Sequence, residues 1–112
     1  MLAIAAILFA VAAVGGVTML ALHLRKGNLP LPLALVHGAF AAAGLVVLIL
    51  AVLLAGASAV ISVVLFVVAA LGGFFLFALY LRGSKLPTPL IFVHGGVAVI
   101  AFLILLAVLL GF

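Results

Sequence analysis

The sequence predicts an all-α integral membrane protein: a four-helix bundle of two tandem, parallel helical-hairpin repeats, related by a pseudo-twofold axis along the membrane normal. Three observations carry this expectation. The 112-residue chain is 74% hydrophobic and 4% charged and contains no Asp or Glu, a composition that cannot cover a water-soluble surface. Its apolar residues fall into four long runs separated by three short breaks. The second half also repeats the first at a fixed offset.

The breaks set the elements. The first is Arg25-Lys26-Gly27-Asn28-Leu29-Pro30-Leu31-Pro32, the second Gly56-Ala57-Ser58, and the third Arg82-Gly83-Ser84-Lys85-Leu86-Pro87-Thr88-Pro89. They leave helices at 2–24, 32–55, 59–81 and 89–111, each with the about 20 residues that one membrane crossing takes. The opening run has no basic n-region and is longer than a signal-peptide core, so it reads as a retained transmembrane helix. Pro32 and Pro89 suit a first helical turn, where the missing N–H leaves nothing unpaired. Thr88 then reads as an N-cap immediately before Pro89.

The repeat divides the chain into hairpins at 1–57 and 58–112. Sliding the sequence by 57 residues aligns 1–55 with 58–112 without a gap, and two-fifths of the aligned pairs are identical. The matches are specific. Gly15-Gly16 pairs with Gly72-Gly73, Arg25 with Arg82, Leu29-Pro30 with Leu86-Pro87, and Val36-His37-Gly38 with Val93-His94-Gly95. Two helices per repeat make both copies cross in the same sense. All four Lys and Arg side chains lie in the first and third breaks. The positive-inside rule therefore puts both basic loops in the cytoplasm and both termini outside, in a bacterial inner membrane. Four cations in two loops point to anionic lipid rather than nucleic acid.

Composition also removes chemistry. There is no cysteine for disulfides, thiolate metal sites or thiol catalysis. Without carboxylates there is no general acid/base pair, carboxylate metal site or Ser-His-Asp triad. Nothing in the chain points to a catalysed reaction.

His37 and His94 remain. Each lies five residues past its proline, about 7–8 Å into its helix at 1.5 Å per residue. Ionisable side chains at that depth point into a bundle or cavity, and with no carboxylate nearby these two require other polar partners. Each heads a stripe on one helical face: Ala41, Gly44 and Leu48 beyond His37, and Ala98, Ala101 and Leu105 beyond His94. Ala12 with Gly16 and Ala69 with Gly73 form matching small-residue faces on the first and third helices. Such faces either let helices approach closely or leave space for a flat ligand. Two imidazoles at one level across a bundle are the axial arrangement of a haem b. On this reading His37 and His94 are the metal ligands, Gly16 and Gly73 line the cofactor, and Arg25 and Arg82 pair with its propionates. Quinone or a redox subunit is the implied partner, in a larger complex or a homo-oligomer.

The whole chain resembles small bacterial four-helix membrane proteins whose second helix begins Pro-x4-His-Gly, here Pro32 to Gly38. Its paired intramembrane histidines are similar to the bis-histidine sites of membrane b-type cytochromes such as the b561 group. That likeness implies haem ligation by His37 and His94 and covers those two positions only. The b561 group holds two haems on four histidines, and this chain offers one symmetric pair.

Other readings stand beside it: a structural or accessory subunit whose histidines only pack, a transition-metal or quinone site, and a small carrier or channel. His23 and its repeat partner Tyr80 read as interfacial polar residues, His23 also as a hydrogen-bond donor to a propionate or quinone. Met19 reads as core, and Phe74, Phe75 and Phe77 as lipid-facing by default, with a porphyrin edge as the alternative.

Overall fold

A computed structural model of the protein contains four α-helices: α1 (Leu2–Leu24), α2 (Leu31–Ala55), α3 (Val60–Leu81) and α4 (Thr88–Leu109). All four are long and apolar enough to cross a membrane, and they form an elongated bundle of 42 × 21 × 19 Å. Helices are what such a chain must form in lipid, because each backbone N–H and C=O then finds its partner within its own segment.

The helix ends follow local chemistry. Pro32 and Pro89 occupy the first turns of α2 and α4. Helix α4 begins at Thr88 itself, with Pro87 in the capping position and no side-chain cap. The expected Thr88 cap is absent because its hydroxyl bonds elsewhere. Both α1 and α3 close by one motif, in which a left-handed residue follows the last turn: Lys26 at φ 57° and Gly83 at φ 70°. Their N–H groups, and those of the next residues, return to the last-turn carbonyls of His23, Leu22, Tyr80 and Leu79. Gly56, at φ 67°, ends α2 in the same left-handed region.

Within each hairpin the two helices pack extensively, α1 on α2 and α3 on α4. The hairpins meet along two thinner seams, α1 with α4 and α2 with α3. Helices α2 and α4 lie on one diagonal and make no direct backbone contact with each other, and neither do α1 and α3.

Only 14 of 112 residues are buried, so the bundle's outer surface is itself apolar, as a bilayer requires and water does not tolerate. The core is a stack of paired, repeat-related side chains. Farthest from the basic loops among these pairs are Leu48 and Leu105, both fully buried. Next, Phe9 and Phe66 stack face to face, centroids 3.7 Å apart and planes within 1°. The Phe9 ring rests on Gly44, where an added Cβ would lie 3.1 Å from it. Buried Ala12 and Ala69 follow, then the histidines.

Candidate histidine pair

The sequence requires polar partners for His37 and His94, and the fold supplies the same one to each. His37 Nδ1–H donates to the carbonyl oxygen of Ala12 at 2.7 Å, and His94 Nδ1–H to that of Ala69 at 2.7 Å. Each bond joins α1 to α2 or α3 to α4. A carbonyl only accepts, so a ring proton sits on Nδ1 of each, and the neutral tautomer consistent with this bond carries its lone pair on Nε2. This is the usual tautomer of a metal-ligating histidine whose second nitrogen is held by the backbone.

Glycine makes these bonds possible. A Cβ on Gly16 would lie 3.1 Å from Cε1 of His37, and one on Gly73 would lie 3.0 Å from Cε1 of His94. At Gly15 and Gly72 the nearest atoms would be the histidine Cβ atoms, at 3.4 and 3.7 Å. The small-residue faces are thus seats for the imidazoles of their own hairpins. The space expected for a flat ligand against Gly16 and Gly73 is taken by the rings.

Across the pseudo-twofold the two rings form an edge-on pair with centroids 6.3 Å apart and planes at 83°. No hydrogen bond joins them. Two imidazoles binding one metal from opposite sides, with both Nε2 atoms pointing at it and about 2.0–2.1 Å per bond, have centroids roughly 6 Å apart. The chain has no group of three or more His, Cys, Asp or Glu side chains. It therefore brings two nitrogen donors to one place and nothing further. That set is short of what a bare transition metal takes from a protein, and it is the full protein complement of a porphyrin iron.

The other predicted residues divide. Gly44, Leu48, Ala101 and Leu105 of the histidine stripes are buried, and Ala41 and Ala98 half-buried. Arg25 and Arg82 cap α1 and α3 at the rim above the histidines and are exposed. Phe74 and Phe75 point outward, 69% and 55% exposed, while Phe77 packs near the Tyr80 ring at 6.1 Å. Met19 is half-buried. Two features escaped the sequence reading. Phe9 and Phe66 form the central stack, and they are the single phenylalanine pair that the 57-residue offset matches. His23 and Tyr80 are not merely interfacial. His23 Nε2 shares a hydrogen bond with Thr88 Oγ1 at 3.0 Å, and the Tyr80 hydroxyl donates to the Leu29 carbonyl at 2.6 Å.

Two open clefts lie at the opposite end of the bundle. One is lined by Ile49, Val52, Leu53, Val60 and Val63, the other by Ser58, Ala59, Val60, Ile61, Ile104 and Val108. No protein-family model, curated protein or solved structure matches the chain. The class defined by fold and site is therefore a repeat-built bundle of four membrane-length helices with one symmetric imidazole pair near one end.

Proposed function

We propose that this protein is a membrane-embedded b-type haem protein or subunit that transfers electrons, with His37 and His94 as the residues that would hold the haem iron. The observation that carries the reading is the imidazole pair itself. Both rings have Nδ1–H engaged by a backbone carbonyl, neither has a hydrogen bond at Nε2, and their centroids stand 6.3 Å apart on helices whose backbones make no direct contact. Haem b bound there supplies a one-electron couple. The chain's own residues do the rest. Ala12 and Ala69 fix the tautomer and aim of each ring, and Gly16 and Gly73 seat the rings. Arg25 and Arg82, exposed at the rim, would pair with its propionates, in a chain that has no Asp or Glu. The Phe9–Phe66 stack closes the layer from below. With the basic loops on the cytoplasmic side of a bacterial inner membrane, as the positive-inside rule puts them, electrons would be exchanged on that side, with a quinone or a partner subunit.

The test is spectroscopic. The full chain is expressed with haem supplied, purified in detergent, and its oxidised and dithionite-reduced spectra recorded. The expected result is the sharp reduced α band of a low-spin haem, lost in His37→Ala and in His94→Ala. A parent protein that is helical, monodisperse and colourless overturns this reading. It would favour instead an accessory protein in which the two ring-to-carbonyl bonds serve helix packing alone.

A further inference from the structure

Among all hydrogen bonds of the protein, two join residues 1–57 to residues 58–112: His23 to Thr88 and Tyr80 to Leu29. Both lie at the basic-loop end, and they form a crossed pair. The end of α1 is tied to the start of α4, and the end of α3 to the chain entering α2. His23 and Tyr80 hold the same repeat position, but their partners do not. The position in repeat 1 that matches Thr88 is Leu31, which has no hydroxyl. The longer phenol of Tyr80 reaches instead to Leu29, whose carbonyl lies in the loop outside any helical ladder. Each half has arrived at a tie across the seam by a different side-chain chemistry.

These ties stand directly above the imidazoles. Thr88 is six residues before His94 on the same helix, and Leu29 is eight before His37. The histidine–carbonyl bonds lock each ring to its own hairpin, so they cannot set the distance between the rings. That distance is set by how the hairpins sit against each other. In lipid there is little hydrophobic drive to hold them together. The Phe9–Phe66 stack joins the two hairpins below the histidines, across the α1–α3 diagonal, and the rim ties join them above.

We propose that His23 and Tyr80, with Thr88, are positioning residues that hold the two imidazoles at ligand spacing by clamping the hairpins at the rim. The ligand concerned is the haem of the reading above, and the clamp is testable without it. Tyr80→Phe and Thr88→Val each delete one oxygen at nearly constant shape. The chain has no cysteine, so spin labels placed at Asn28→Cys and Lys85→Cys, exposed and repeat-equivalent, report the hairpin separation in lipid nanodiscs. The parent is expected to give a narrow distance distribution, and the Tyr80→Phe/Thr88→Val double variant a broader one shifted outward. Tyr80→Phe/Thr88→Ser, which restores one hydroxyl, should return part of the way. In haem-loaded protein the double variant should release haem about tenfold more readily, the scale of two interfacial hydrogen bonds. Its low-spin ligand-field signature should also weaken, and Thr88→Ser alone should keep parent values. An unchanged label distribution overturns the clamp, whatever the haem does. A parent that takes up no haem overturns the haem reading and leaves the clamp to be judged on the distances.

Discussion

Adding one methyl group at six glycines tests whether the imidazoles are seated as described. Glycine to alanine in a helix interior is ordinarily favourable by about 1 kcal/mol. At Gly38 and Gly95, beside the histidines in sequence, a new Cβ meets nothing within 4 Å, so the full gain should appear. At Gly16 and Gly73 the new Cβ lies 3.1 and 3.0 Å from Cε1 of the facing ring. Carbon atoms settle at about 3.5–4.0 Å, so each ring must retreat by about 0.4 Å or more. It has little room to do so, because its Nδ1 is held to a carbonyl at 2.7 Å. Overpacking of this kind costs about 1–3 kcal/mol, which cancels or exceeds the helix gain. Gly15 and Gly72, with nearest contacts of 3.4 and 3.7 Å, should fall between. The six alanine variants are compared by equilibrium unfolding in mixed micelles. The expected order is Gly38 and Gly95 most stable, then Gly15 and Gly72, then Gly16 and Gly73, with about 1–3 kcal/mol between the extremes. If Gly16→Ala and Gly73→Ala stabilise as much as Gly38→Ala, the rings do not occupy those seats.

Two further expectations use the differences between the repeats. Lys26 holds a left-handed conformation that Gly83 holds in the other half, so Lys26→Gly should raise stability by up to about 1 kcal/mol and Gly83→Ala should lower it by a similar amount, both read from the same unfolding curves. Ser62 is fully buried and donates to the Ala101 carbonyl at 2.8 Å, where repeat 1 has a buried Ala5; Ser62→Ala should cost about 0.5–1.5 kcal/mol, and a loss of several kcal/mol would mean the bond does more than join α3 to α4.

The fold was legible because runs this long and this apolar leave so few solutions. Four apolar runs of spanning length permit four helices and little else, and the helix ends came within two residues of expectation. The stripe from His37 through Gly44 to Leu48 was legible for a similar reason, since small residues at helical spacing mark a contact face in lipid. What the histidines touch was not legible. Small residues near a histidine are compatible with a vacant slot and with a ring lying on its neighbour's backbone, and only the depth of α1 against α2 separates the two. The rim ties were hidden because they pair unlike positions. A search for symmetric partners finds His23 with Tyr80, whereas the bonds run from His23 to Thr88 and from Tyr80 to Leu29. The Phe9–Phe66 stack had a trace in the repeat, being its one matched phenylalanine pair, but nine phenylalanines in an apolar chain obscured it.

Duplication explains both the strength and the weakness of this site. Copying a hairpin that seats one imidazole on its own glycine and carbonyl gives two identical half-sites at no further cost in sequence, at one level and across one axis. It does not provide the distance between them, because nothing within a hairpin refers to its copy. That distance has to come from contacts that cross the seam, and in lipid those are packing and a few hydrogen bonds. A symmetric ring stack can arise from the copying itself, as Phe9 and Phe66 show. The rim ties cannot, since position 31 lacks the hydroxyl that position 88 provides. The departures from perfect repetition at 23, 80 and 88 therefore fall where a duplicated bundle would have to diverge for the two half-sites of the proposed haem site to act as one.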